Sequence, residues 1–252
     1  MILSRDRLKI EKDGGRWAEM SEGGYHCICR CIIKISVLEE RLEKRDFVVR
    51  FAGEANVVTA TEALASAAAS AGYYVYTFAT FPSQILGGPI WTQVRMSIDP
   101  LFGQGDYPDL LVAFNKYGYD THQPELRAGG VTIYNTKEFD LPDDGFNFGI
   151  DVEALAKEVG NLRATNFVTV GAIAHEIGLA LDDVKAFNKA KYTRGRDSDA
   201  QIISSNDAAL ELGAQAARDS GITIESIGAA QPPDYEQIMA ESSDMIGLGA
   251  MA

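Results

Sequence analysis

The sequence predicts an α/β protein, a Rossmann-like three-layer domain with a mostly parallel sheet and extensions at both ends. Short continuous apolar runs, such as residues 47–49 and 110–113, indicate strands buried on both faces. Stretches of helical length separate these runs, and strand–helix–strand order is typical of βαβ units with right-handed crossovers. A chain of 252 residues is long enough for one such domain with a sizeable core.

The chain is expected to divide into three parts. Residues 1–45 form an N-terminal extension of uncertain structure, with a cysteine cluster, two Gly-Gly pairs and the helically spaced "SVLEERLEKR". Residues 46–221 form the α/β domain. Residues 222–252 are an irregular linker followed by "DYEQIMAESSDMIGLGAMA", which reads as a helix and as the start of a truncated following domain.

The first half of the domain begins with "DFVVRFAG", a buried strand. The alanine-rich residues 57–71 follow as a helix, with threonines near its start and Gly72 at its stop. "YYVYTFA" is the next strand, and residues 80–89 are a loop by their Pro and Gly content. "WTQVRMSI" alternates apolar with polar residues, which predicts a half-exposed strand.

The second half opens on "PDLLVAFN", another buried strand. A short helical connection over residues 117–130 leads to the strand "VTIYN", and residues 136–149 are expected to be an acidic loop. Four helices are then predicted, namely "DVEALAKEVG" with Asp151 near its start, the apolar "NFVTVGAIAHEIGLAL", the amphipathic "DVKAFNKAKY" and the longer "DAQIISSNDAALELGAQAARDSG".

Charge and hydropathy bound the partners and the location. A formal net charge of −13 argues against nucleic acid or an acidic membrane, because phosphate recognition favours Lys and Arg. No apolar run reaches the roughly 20 residues that span a bilayer. The charged N-terminus lacks the apolar core of a signal peptide, so a cytoplasmic location is expected.

Cys27, Cys29 and Cys31 lie in "YHCICRC", beside His26. Such a run is able to bind a soft metal. The alternative is simple alternation along a strand, with the three thiols on one face. No second Cys pair and no His at zinc-finger spacing follows, which favours the structural interpretation.

Several motifs, taken together, resemble a known family. "VVRFAGEA", "TFPSQILGGPIWTQVRMS", "GDYPDLLVAFN" and "LRAGGVTIYN" occur in the order and spacing typical of the gamma domain of 2-oxoacid:ferredoxin oxidoreductases. "RATNFVTVGAIAHEIGL" is similar to the helical region that follows in that family. The resemblance covers about residues 46–215. The final segment resembles the junction that opens the next domain of the alpha subunit, where this chain ends.

The resemblance implies oxidative decarboxylation of a 2-oxoacid to an acyl-CoA, with electron transfer to ferredoxin. It implies thiamine diphosphate, Mg, a [4Fe–4S] cluster and coenzyme A in the complete complex. This sequence has no Gly-Asp-Gly…Asn magnesium signature and no Cys-x-x-Cys set at cluster spacing. We therefore expect that the chain alone binds none of these cofactors and is inactive. Its expected partners are the remaining alpha-subunit domains and the beta subunit, with ferredoxin reached through the complex.

Two departures from the family concern coenzyme binding. Relatives read Gly-Glu-Ala-Gly-Gln-Gly-Val where this chain reads Gly53-Glu54-Ala55-Asn56-Val57, so two residues and two glycines are lost. That loss removes backbone that a ligand approaches closely. Relatives also commonly carry Arg before the Gly-Gly of the second motif, where this chain has Leu86. Both departures weaken the case for coenzyme binding by this chain.

The candidate site residues come from three turns at strand ends, where open α/β sheets bind ligands. No catalytic residue and no metal ligand is assigned, and the set, as cleft, coenzyme or subunit contacts, is Gly53, Glu54, Asn56, Thr80, Pro82, Ser83, Gly87, Gly88 and Asn115. The first turn is also explained as a tight strand–helix turn that Asn56 caps. The loop with Thr80 is either a subunit contact or a plain connection, and Asn115 either faces the cleft or satisfies its own loop.

Other chemistry has little support. His122 lies in a polar connection without a visible partner, and His175-Glu176 lacks the second His of a zinc-protease motif. A dinucleotide-binding dehydrogenase is disfavoured by the absence of Gly-x-Gly-x-x-Gly after the first strand. The rival hypothesis is a non-catalytic small-molecule-binding or scaffolding module of the same fold, since fold alone does not decide function.

Overall fold

The structure, a computed structural model, describes residues 44–53, 57–81, 89–221, 223–225, 227–230, 240 and 242–251. All of them belong to the unit Arg41–Ala252. The strands are β1 (Asp46–Gly53), β2 (Tyr74–Thr80), β3 (Ile90–Ser97), β4 (Leu110–Ala113), β5 (Val131–Asn135) and β6 (Asn147–Ile150). The helices are α1 (Val57–Ser70), α2 (Lys116–His122), α3 (Val152–Glu158), α4 (Thr165–Glu176), α5 (Leu181–Tyr192), α6 (Asp199–Ser220) and α7 (Ser242–Met251), with a 3₁₀ turn at Gln123–Glu125.

The strands form one six-stranded sheet in the order β2-β3-β1-β4-β5-β6. β1, β4, β5 and β6 pair in parallel, whereas β3 is antiparallel to both of its neighbours, β1 and β2. β1 and β2 therefore point the same way, as the predicted strand–helix–strand unit requires, but β3 lies between them. The prediction of a mostly parallel α/β sheet is confirmed.

Two local predictions were wrong. β3 is not half-exposed, because it lies inside the sheet, and even the polar Gln93 is only 1% exposed. Its side-chain amide donates to the carbonyls of Gln104 and Gly105, at 2.6 and 2.9 Å, which satisfies it without water. The predicted acidic loop over residues 136–149 ends in β6, a strand too short and too rich in Asn and Gly to show in the apolar pattern.

Helices and loops cover both faces of the sheet. One face carries the main core, in which Phe47, Val49 and Phe51 of β1 pack with α1 and α4. The opposite face carries a smaller cluster, in which Ala52, Leu111, Ala113 and Tyr134 pack under α2 and the loops. Burial on both faces explains why β1 and β4 read as continuous apolar runs.

The helix boundaries follow ordinary capping chemistry. Asp151, predicted near a helix start, caps α3 by accepting from the amide of Ala154 at 2.8 Å. α6 ends at Gly221, whose φ of 68° places it in the left-handed region that glycine favours. Within the described ranges, no helix has both the length and the apolar character needed to cross a membrane.

Candidate functional site

The carboxyl ends of the parallel strands lie at one edge of the sheet, which we call the carboxyl edge. Gly53 pairs with Ile90, and Thr80 pairs with Trp91, so the ends of β1 and β2 meet beside the start of β3. Asn115 follows the end of β4, next to β1. The described members of the predicted site thus lie along the same edge. The other predicted residues lie outside the described ones, namely Glu54, Asn56, Pro82, Ser83, Gly87 and Gly88.

Gly53 has a packing reason to lack a side chain. A β-carbon at this position would lie 2.8 Å from Cβ of Phe114, the residue just after β4. Gly118 of α2 is equally constrained, because a β-carbon there would lie 2.9 Å from the carbonyl oxygen of Ala52. These two glycines allow the start of α2 to approach the end of β1 closely. The space between α2 and β1 at the middle of the carboxyl edge is therefore small.

Asn115 and Thr80 are both held by the protein. The Asn115 Oδ1 atom accepts from the amide of Gly118 at 2.8 Å, so Asn115 is the N-cap of α2. The Thr80 hydroxyl donates to the carbonyl of Trp91 at 3.2 Å. Both contacts supply the structural role that the sequence left open for these residues. Whether either side chain also touches a ligand or a subunit stays a prediction.

A network of buried polar side chains beneath the carboxyl edge was not predicted from the sequence. Arg50 of β1 is 3% exposed. Its Nε donates to Gln93 Oε1 at 2.8 Å, its Nη2 donates to the Asp106 carbonyl at 3.1 Å, and its Nη1 pairs with Glu125. The guanidinium also lies over the Trp91 ring, 4.7 Å from the centroid. Burial lowers the pKa of Arg50, although Glu125 opposes this.

His122 belongs to the same network, so the prediction that it has no visible partner was wrong. Its side chain is buried, with Nδ1 3.4 Å from Arg50 Nη1 and 3.3 Å from Glu125 Oε2. Its ring centroid lies 5.5 Å from that of Trp91. Burial lowers the pKa of His122, and the nearby Arg50 charge adds to this, whereas Glu125 opposes it. The only local sequence signal for a partner of His122 was Glu125, three residues later in the chain.

The cations on the carboxyl edge are paired with carboxylates. Lys116, at the start of α2, pairs with Asp120. Lys137, just after β5, pairs with Glu153, whose hydrogen bond raises the pKa of that lysine. Among the described residues, an anionic ligand at this edge would therefore meet lysines that are already neutralised, together with the amides that begin α1.

Comparison with known proteins gives consistent relatives. The pyruvate ferredoxin/flavodoxin oxidoreductase family matches residues 49–216. The ketoisovalerate oxidoreductase subunit VorA of Methanothermobacter marburgensis is 30% identical over 181 residues, which is 70% of this chain and 37% of VorA. The common gamma subunit of the pyruvate/ketoisovalerate oxidoreductases of Thermococcus kodakarensis is 32% identical over 159 residues, 58% of this chain and 86% of that subunit.

A solved structure agrees with these sequence relatives. The 2-oxoglutarate:ferredoxin oxidoreductase of Magnetococcus marinus, with 2-oxoglutarate, coenzyme A and succinyl-CoA bound, aligns at a TM-score of 0.72 and 30% identity. The alignment covers 83% of this chain and 37% of that one. The chain thus spans little more than a third of the longer relatives, and it belongs to the pyruvate ferredoxin/flavodoxin oxidoreductase family.

Proposed function

We propose that this chain is the gamma-domain part of a 2-oxoacid:ferredoxin oxidoreductase that contributes to oxidative decarboxylation of a 2-oxoacid to an acyl-CoA. The main support is the pattern of coverage. The chain covers 86% of a separate gamma subunit but only 37% of the longer subunits it resembles. The same domain therefore occurs both as a chain of its own and as part of a larger chain.

The cofactors belong, in this proposal, to the complete complex. Thiamine diphosphate, Mg and the [4Fe–4S] cluster belong to the remaining alpha-subunit domains and the beta subunit, and this chain alone binds none of them. Coenzyme A carries phosphates, and the described carboxyl edge offers them only Lys116 and Lys137, each paired with a carboxylate. The described residues do not by themselves fit a phosphate site, so we assign no step of the reaction to them.

The partners are the remaining alpha-subunit domains and the beta subunit, in the cytoplasm, with ferredoxin docking elsewhere on the complex. The role of this chain is to close the active-site cleft and to bury its surface against the other domains. Gly53, Thr80 and Asn115 mark the edge that we expect to face the cleft, because Gly53 and Thr80 end β1 and β2 and Asn115 closely follows β4.

Co-purification under anaerobic conditions tests the proposal. The tagged chain, expressed in its source organism, is expected to retain a stoichiometric partner that contains both thiamine diphosphate and iron. A tag on an unrelated protein is the control for non-specific capture. Recovery of the chain as a stable monomer, with neither thiamine nor iron in any associated protein, would instead support the scaffolding module.

A further inference from the structure

A cavity of about 510 Å³ opens beside the last two strands of the carboxyl edge. Its walls come from β5, β6, residues 141–143 of the loop between these strands, the start of α3 and the end of α6. Gly53, Thr80 and Asn115 do not line it. The volume lies within the range of roughly 300–1,000 Å³ that small-molecule sites occupy, and the position beyond strand ends is where α/β sheets bind ligands.

Tyr134 of β5 gives this cavity a polar group that the rest of the described chain does not satisfy. The residue is only 9% exposed, and its hydroxyl makes no hydrogen bond to another described residue. The tip of the ring lies over Gly149, itself in the cavity wall, where a β-carbon would come within 2.8 Å of the hydroxyl. Tyrosine hydroxyls ordinarily have a hydrogen-bond partner, so this one is available to bond to a ligand in the cavity.

The charged groups of the wall have one sign. Asp143 and Asp151 line the cavity, and no Lys, Arg or His is among the described residues that line it. Asp151 already accepts from the amide of Ala154, whereas Asp143 has no hydrogen bond or ion pair with any described residue. A phosphate or the carboxylate of a 2-oxoacid would be repelled here, whereas a cation would be attracted.

Most of the remaining wall is apolar, with Leu141, Ile150 and Leu155 among its side chains, and it also has uncharged polar side chains, namely Thr136, Asn147 and Ser220. A fitting ligand therefore combines a positive charge with an apolar body. We propose that the cavity binds a small organic amine that is protonated at neutral pH, with its ammonium group at Asp143 and Tyr134 and its body against these alkyl side chains. Amine binding in this cavity is independent of the proposed oxidoreductase function.

Titration calorimetry on the 252-residue chain tests the inference with probes matched in shape. Phenethylamine is the cationic probe, and phenylacetate is its anionic counterpart. We expect saturable binding of phenethylamine and none of phenylacetate. Asp143→Asn is expected to weaken phenethylamine binding about tenfold, as loss of a charge-assisted hydrogen bond does. Tyr134→Phe, which removes only the hydroxyl, is expected to weaken it by a smaller factor.

Asp140→Asn is the matched control, because Asp140 lies in the same loop and is exposed but does not line the cavity. It should leave the affinity unchanged. The inference is overturned if phenethylamine shows no saturable binding, if both probes bind equally, or if the two Asn variants behave alike.

Discussion

Gly171 of α4 and Gly213 of α6 lie opposite each other where these two helices cross. A β-carbon on Gly171 would overlap the carbonyl oxygen of Leu210, and one on Gly213 would overlap that of Val168. Each glycine therefore packs directly on the backbone of the other helix. This close crossing holds α6 against the core helix α4. It thereby also fixes the end of α6 that lines the cavity beside β5 and β6.

We predict that Gly171→Ala or Gly213→Ala lowers the free energy of unfolding by about 1–3 kcal/mol, because the helices must separate. Helix propensity alone predicts the opposite sign, since Ala is favoured over Gly by roughly 1 kcal/mol. Urea unfolding followed by circular dichroism decides between them. Gly103→Ala, where a β-carbon meets nothing within 4 Å, is the control and should be nearly neutral.

The Arg50 network predicts that replacing Arg50 by Lys costs much more stability than replacing the surface residue Arg45 by Lys. Arg50→Lys loses the planar donor fork that reaches Gln93, Asp106 and Glu125, and should cost about 2–4 kcal/mol of stability. Arg45→Lys alters the pair with Asp99 at the surface, where both side chains are about half exposed, and should cost less than about 1 kcal/mol. Equal unfolding midpoints for the two variants would show that the buried network contributes no special stability.

Titration of His122 should make stability depend on pH. Its pKa is lowered in the folded protein, whereas in the unfolded chain it is about 6.5. Between these two values the unfolded state binds the proton and the folded state does not, so stability falls as the pH drops below about 6.5. Wild type should therefore lose more stability between pH 7.5 and pH 5 than His122→Asn does. Parallel pH profiles would refute this.

Two variants of Asn115 distinguish a role in helix capping from a role in ligand binding. Asn115→Ala removes the acceptor for the Gly118 amide and should cost about 1 kcal/mol, whereas Asn115→Ser keeps a capping oxygen and should cost little. If capping is the whole role, Asn115→Ser leaves the activity of the assembled complex unchanged. A Ser variant of normal stability with reduced activity would assign Asn115 a contact beyond the helix.

The apolar pattern was enough to predict most of the fold. Strands such as β1 and β4, buried on both faces, leave a signal in three or four consecutive apolar residues. β6 left none, because a four-residue edge strand with Asn147 and Gly149 resembles a loop. The burial of β3 was missed because Gln93 is satisfied by carbonyls of a loop that follows it by more than ten residues.

The candidate site was less predictable for a related reason. The carboxyl edge follows from strand order, and Gly53 and Asn115 are found by reading where strands end. The Arg50–His122 contact joins residues 72 positions apart, so no local sequence pattern predicts it. The cavity at β5 and β6 depends on Tyr134 lying over Gly149, a relationship that needs the register of a strand the sequence did not reveal.

The most direct test of the proposed role is a reconstitution assay that follows the reduction of a viologen dye by a 2-oxoacid and coenzyme A. The chain alone, the partner chains alone and the recombined mixture are assayed under the same anaerobic conditions. The proposal predicts dye reduction by the recombined complex, little by the partners alone and none by the isolated chain. Reduction by the isolated chain, or equal rates with and without it, would contradict the proposal.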